Sequence, residues 1–218
     1  MLAEKLTDLK KNLAEYAALI ETMVADGIDG LLRKDTEKLQ DVINKYEPQA
    51  NLKDIELDEQ CTSLLAQYQP KAKDLRTILM ILGINHALER MGDHAANIAR
   101  SALFLIERPQ VKPLLDLPRM SEITNGMLRD SVNSFIREDA VLAKSIEERD
   151  DQVDKLRSQI LRELITYMSA DVSTIERALH IIRISDNLER IADLTTNIGE
   201  EVVFMIEGKV LKHHVEGK

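Results

Sequence analysis

Apolar residues advance along this chain by threes and fours. One seam runs through Ile81, Ile84, Leu88, Met91, Ala95, Ile98, Ala102 and Leu105. A second runs through Ile181, Ile184, Leu188, Ile191, Thr195, Ile198, Val202 and Met205. Strict alternation of three and four is a heptad seam, which predicts two long helices packed at shallow angles against their neighbours. Similar spacing predicts a first helix from Leu2 to about Arg33. Asp35 reads as the N-cap of a second helix through Leu39, Val42 and Ile43. Pro48 is expected to interrupt that helix, because proline lacks the amide donor and crowds the preceding turn. The pattern resumes at Leu52, Ile55, Leu57, Cys61, Leu64 and Leu65, stops before Pro70, and returns in a third helix from about Asp74 to Arg108.

Pro109, Pro113 and Pro118 mark residues 109–118 as a linker. A fourth helix follows through Ile123, Met127, Val132 and Ile136. Asp139, placed like Asp35, opens a fifth through Ile146, Val153, Leu156, Ile160 and Leu164. Ser173 with Glu176 reads as a capping box for a sixth helix ending near Gly208. Residues 209–218 lack periodicity and read as a frayed tail. No segment alternates long enough to suggest a sheet. The predicted fold is all-α: two tandem pseudo-symmetric three-helix bundles, residues 1–108 and 119–208.

The two bundles carry a repeated motif. Leu88-Glu89-Arg90-Met91-Gly92-Asp93-His94-Ala95-Ala96-Asn97-Ile98 returns one hundred residues later as Leu188-Glu189-Arg190-Ile191-Ala192-Asp193-Leu194-Thr195-Thr196-Asn197-Ile198, with six of eleven positions identical. So long a period indicates a duplicated domain rather than a solenoid. With the seam at a and d, Glu89, Asp93 and Asn97 form an oxygen-bearing row facing away from the core, as do Glu189, Asp193 and Asn197. Carboxylates at i and i+4 repel by roughly 0.2–0.5 kcal/mol in an isolated helix, so a ligand is the natural beneficiary of the row. Asp150 and Asp154 on the fifth helix make a further pair. Two such helices side by side offer four hard oxygens, suited to Mg²⁺, Mn²⁺, Fe or Ca²⁺.

One such pair says little, since Glu4/Asp8, Asp54/Asp58 and Glu147/Asp151 also match and read as solvated faces. Only the duplication raises the motif above that background. Arg90 and Arg190 read as salt-bridge partners, and Gly92 and Ala192 as small residues for close helix packing. His86 and His94 do not recur in the second copy, which disfavours metal ligation by either. Cys61 reads as a small buried hydrophobe.

Composition narrows the function class. Charged residues make up 31% and aromatics 3% of the 218 residues, and the net charge is −9. An acidic chain without stacking aromatics is unsuited to nucleic acid. No apolar run approaches the ~20 residues that span a bilayer, and no signal segment is evident, so a cytosolic protein is expected. Phosphate loops, nucleophile elbows and the Glu-x-x-His pairs of di-iron bundles are missing, leaving an enzyme reading little support.

The Leu-Glu-Arg segments, with Asn97-Ile98-Ala99, Asn197-Ile198, Gln69-Pro70, Asp74-Leu75-Arg76 and Asp150-Asp151-Gln152-Val153-Asp154, resemble the PhoU family of phosphate-transport and phosphate-signalling accessory proteins, across essentially the whole chain. The resemblance implies a non-enzymatic regulator at the cytoplasmic side of the membrane. Its implied partners are the ATPase subunit of a phosphate ABC transporter and a phosphate sensor histidine kinase, both restrained when phosphate is abundant. A homodimer is also implied. Iron or zinc clusters on surface Glu/Asp-x-x-x-Asp pairs are implied, here Glu89/Asp93, Asp150/Asp154 and Glu189/Asp193, with Mg²⁺ or Mn²⁺ as further candidates. Counting back from Cys61 puts the first-copy counterpart of Asp150/Asp154 at Glu47/Asn51, beside Pro48, so metal is expected mainly on Asp150, Asp154, Glu189 and Asp193. The alternatives are a metal-storage or hydrolytic bundle and an accessory to a low-affinity phosphate permease.

Overall fold

The computed structural model describes residues 2–207, and among these there are helices and turns but no strand. The elements are α1 (Leu2–Arg33), α2 (Thr36–Asp41), a π-turn (Val42–Tyr46), α3 (Glu47–Tyr68), α4 (Ala72–Ile106), α5 (Asp116–Arg137), α6 (Ala140–Lys144), α7 (Glu147–Ala170), a 3₁₀ turn (Val172–Thr174) and α8 (Ile175–Glu207). Read as rods, α2–α3 and α6–α7 each act as one, giving six rods in two bundles. One bundle packs α1, α3 and α4, the other α5, α7 and α8. The bundles join through α4 on α8 and α1 on α5.

Both copies turn their first corner the same way. Lys34 and Glu138 adopt left-handed backbone at φ 55° and 53°. The amide of Asp35 then donates to the Gly30 carbonyl, and that of Asp139 to the Ser134 carbonyl, each at 2.9 Å. This Schellman closure satisfies carbonyls that the helix end would leave bare. The Asp35 side chain accepts from the Lys38 amide, and Asp139 accepts from the Val141 and Leu142 amides, so both predicted caps form. Gly30 is required at its corner: a Cβ there would stand 2.7 Å from Leu39, which is fully buried.

The two heptad seams line a continuous core. From Ile81 to Ala102 and from Ile181 to Val202 every seam residue is buried, while Leu105 and Met205 pack at its edge. Gly92 is buried with its Cβ position 3.2 Å from the tip of Ile20, so it serves close packing of α4 on α1. Cys61 is fully buried, and burial pushes its thiol up to about 11.

Three expectations are corrected. Pro48 does not break the second rod: the π-turn Val42–Tyr46 just before it, where the Glu47 amide reaches back to the Val42 carbonyl, widens the helix and accommodates the ring. Helix α5 starts at Asp116, within the expected linker 109–118, because Pro118 sits in its first turn. The cap before α8 is Asp171, not Ser173. Asp171 accepts from the Ser173 amide and hydroxyl at 2.9 Å, and this draws residues 172–174 into a 3₁₀ turn. The expected tail, 209–218, lies outside the described residues.

Candidate functional site

Helices α7 and α8 bring Asp150, Asp154, Glu189 and Asp193 together, as expected. The backbone sets this arrangement: buried Val153 and Leu156 hold α7 against the core, and buried Leu188 and Ile191 hold α8. Asp150 and Glu189 are therefore half-buried at the helix junction, while Asp154 and Asp193 reach solvent. Burial first, then the charges of Asp193, Asp154 and Glu189, push the Asp150 carboxyl up to about 6. Its Oδ1 is buried and has no hydrogen-bond partner. Burial also raises Glu189 and Asp193, reinforced by neighbouring carboxylates. Two arginines oppose these shifts, Arg157 at Glu189 and Asp193 and Arg190 at Asp193. Arg157 donates from Nε to Asp186 Oδ1 at 2.7 Å and lies 4.0 Å from Glu189.

The first copy contains a second quartet that the sequence reading missed. The acid facing Glu89 is Asp54, not Glu47. Asn85, fully buried on α4, donates from Nδ2 to Asp54 Oδ1 at 2.7 Å and to the Asp54 carbonyl at 3.0 Å. Burial raises the Asp54 carboxyl, with His86 opposing and Asp58 reinforcing. Burial followed by Asp93 and Asp54 raises Glu89. Asp54 and Glu89 are half-buried while Asp58 and Asp93 are exposed, repeating the pattern of Asp150, Glu189, Asp154 and Asp193. Behind them lies Tyr16, fully buried, whose hydroxyl has no partner and is raised by burial and by the charges of Asp54, Glu89 and Asp93.

Glu47 is committed elsewhere: Arg100 Nη2 grips both of its carboxylate oxygens at 2.8 and 2.7 Å. Asn51 is exposed. Asn97 accepts from Arg100 rather than joining the carboxylates, and Asn197 is exposed beyond Asp193. A signal for Asp54 was present in the chain. Asp54-Ile55-Glu56-Leu57-Asp58 matches Asp150-Asp151-Gln152-Val153-Asp154 in both acids and in the buried apolar residue between them.

The implied metal can be tested against these donors. Two all-oxygen quartets, one with an unpartnered carboxylate oxygen, suit a hard cation in chemistry. Among the described residues, however, no three His, Cys, Asp or Glu side chains are grouped so as to hold a metal ion as they stand. Occupation therefore requires side-chain rotation toward a shared centre.

The remaining expected groups divide. His86 faces Asp54 and Glu89 electrostatically. His94 instead crosses to the second copy, its Nδ1 2.8 Å from Asn187 Oδ1. Among the described residues Arg90 and Arg190, expected in salt bridges, make neither an ion pair nor a hydrogen bond, and act only at longer range on Glu89 and Asp193.

The comparisons agree with this duplicated architecture. The PhoU domain model matches residues 13–102 and again 117–202. A phosphate-specific transport system accessory protein PhoU homolog of Aquifex aeolicus is 38% identical over all of this chain and 98% of its own length. One from Pseudomonas putida is 34% identical, covering 96% of this chain and 82% of its own. The crystal structure of PhoU from Pseudomonas aeruginosa superposes with a TM-score of 0.90 at 34% identity, over 96% of this chain and all of that one. The phosphate transport system regulatory protein PhoU from Streptococcus pneumoniae gives 0.89 at 29%, over 98% of this chain and all of that one. Two matched repeats, two quartets in corresponding places and full-length likeness place this chain in the PhoU family.

Proposed function

We propose that this chain restrains phosphate uptake and phosphate-starvation signalling when phosphate is abundant, acting by binding rather than turnover. The observation that carries this reading is full-length similarity to proteins described as phosphate-specific transport system accessory proteins. Its proposed partners are the ATPase subunit of a phosphate ABC transporter and a phosphate sensor histidine kinase. Contact with them would hold a homodimer at the inner face of the membrane; no described helix is long and apolar enough to cross one. Open helix faces bearing carboxylates favour docking over catalysis, which needs a shaped, water-excluding site.

Metal belongs to the same proposal. Asp150, Asp154, Glu189 and Asp193 would hold a cation on the second copy, and Asp54, Asp58, Glu89 and Asp93 on the first. A bound cation would neutralise carboxylates that now repel one another. The proposal extends to the first copy because Asp54 acts on Glu89 there as Glu189 acts on Asp150 in the second.

The test is uptake of radiolabelled phosphate by cells lacking this chain and grown in abundant phosphate. Uptake is expected to exceed that of complemented cells. Equal uptake contradicts restraint of the transporter.

A further inference from the structure

The arginines of the two Leu-Glu-Arg segments occupy one face of the paired helices α4 and α8. Helices α4 and α8 run antiparallel. His94 reaches Asn187, the Phe104 ring stacks on His180 at 3.8 Å, and the Cβ position of Gly83 faces Glu201 at 3.5 Å. Each step forward on α4 is thus a step back on α8. In that register Arg90 stands level with the turn that carries Arg190. The duplication places the same residue of each copy beside the pseudo-two-fold axis, so one arginine in the motif becomes a pair of like charges.

The pair is built onto a fixed frame. Arg90 and His94 are one turn apart on α4, and Asn187 and Arg190 one turn apart on α8, so all four share one face of the helix pair. Asn187 donates from Nδ2 to the Arg183 carbonyl at 2.6 Å, leaving Oδ1 as an acceptor. His94 Nδ1 therefore carries the proton and donates to it, tying the two helices at this level. Both arginines are exposed, and among the described residues neither makes an ion pair or a hydrogen bond, although Arg90 acts on Glu89 and Arg190 on Asp193 at longer range. Both also act electrostatically on His94, which places their charges around that single side chain. Neither guanidinium is closed off by a hydrogen-bonded carboxylate, so both forks stay open to an anion on this face.

The geometry points to an oxyanion site on the pseudo-dyad, in which the guanidinium groups of Arg90 and Arg190 grip one phosphate-type dianion from opposite helices. Guanidinium forks match the oxygens of such an anion in pairs. The oxyanion site follows from the geometry alone. The choice of phosphate among oxyanions rests on the proposed regulatory role. The anion is either free inorganic phosphate or a phosphoryl group carried by another molecule.

The test is calorimetric titration of the purified, chelator-treated chain at low ionic strength, which removes any route through a bound metal. Inorganic phosphate, phosphoserine and sulfate are the probes. Saturable binding of phosphate or phosphoserine is expected, weakened at least tenfold by Arg90→Gln and by Arg190→Gln. Arg137→Gln, an exposed arginine remote from the dyad, should leave it unchanged. Binding of inorganic phosphate alone identifies the free ion, and binding of phosphoserine identifies a carried phosphoryl group. Sulfate binding as tightly as phosphate overturns the phosphate assignment. No saturable binding by any probe, or binding indifferent to both arginines, overturns the site. Because the assay uses purified chain, its failure is separate from any failure of the regulatory reading in cells.

Discussion

Asn85 donates a 2.7 Å hydrogen bond to Asp54 and thereby pins α3 against the Leu-Glu-Arg segment of α4. The same contact fixes which acid joins Glu89 and makes the first quartet the structural counterpart of the second. The surroundings differ. Three residues after Asp154 stands Arg157, paired with Asp186. Three residues after Asp58 stands buried Cys61, and the position matching Asp186 is His86. The second quartet has a resident cation and the first has none from α3.

If Asp54 is the ligand position, Asp54→Asn should weaken divalent-cation binding to the first quartet by at least tenfold, measured by calorimetry on metal-stripped chain. Glu47→Gln should leave it unchanged, because Glu47 serves Arg100. Loss of binding in Glu47→Gln with none in Asp54→Asn would restore the sequence-based pairing.

Arg157 should compete with a cation at the second quartet. Charges a few ångströms apart near a surface interact by about 4 kcal/mol before solvation losses, so the net effect of removing the guanidinium is smaller. Arg157→Gln should raise second-quartet affinity by roughly tenfold and leave the first unaffected. Unchanged affinity at both would show that Arg157 is spent on Asp186.

Asp150 predicts a pH effect of definite sign. Its carboxyl titrates at about 6 in the fold against roughly 3.9 in an unfolded chain. Between those values the folded chain binds the extra proton, so this contribution is full below the unfolded value and is lost as pH rises through 6. In metal-stripped chain Asp150→Asn should therefore raise Tm at pH 7, by about 2–4 °C for each 1 kcal/mol of repulsion relieved, with little change at pH 4. Comparing variant with parent separates this group from Asp29, Glu138 and Glu163, whose lysine partners hold their carboxyls low. A lower Tm for the variant at pH 7 would mean that the ionised carboxylate is favourably paired.

Two helical glycines should respond differently to alanine. Gly30→Ala drives a methyl into fully buried Leu39 at 2.7 Å and should cost about 1–3 kcal/mol. Gly92→Ala meets the flexible tip of Ile20 at 3.2 Å and Ala50 at an ordinary 3.8 Å and gains helix propensity, so its Tm should change little. Thermal melts of the two variants decide this, and equal losses would show that the α1–α4 contact is as rigid as the α1–α2 corner.

Much of this architecture was legible in the sequence because period is local information. The seams through Leu88 and Leu188, the caps Asp35 and Asp139, and the pairs Asp150/Asp154 and Glu189/Asp193 follow from spacing, while the joining of those pairs into one quartet is what the family resemblance implies. Asp54 and Asp58 were hidden by register. Beyond the acid pair α3 is shorter than α7, ending at Tyr68 rather than at the counterpart of Ala170, so counting back from Cys61 lands at Glu47, about two helical turns before Asp54. Arg90 and Arg190 were misread for another reason. Salt-bridge expectation considers neighbours along one helix, whereas the antiparallel packing of α4 on α8 sets both arginines around His94.

The most direct measurement is alkaline phosphatase reporter activity in a strain lacking this chain, grown in abundant phosphate. The reporter should rise on deletion, fall silent with the wild-type chain, and stay high when Asp150, Asp154, Glu189 and Asp193 are all alanine. A reporter that stays silent on deletion would contradict the restraint of starvation signalling at the centre of this account.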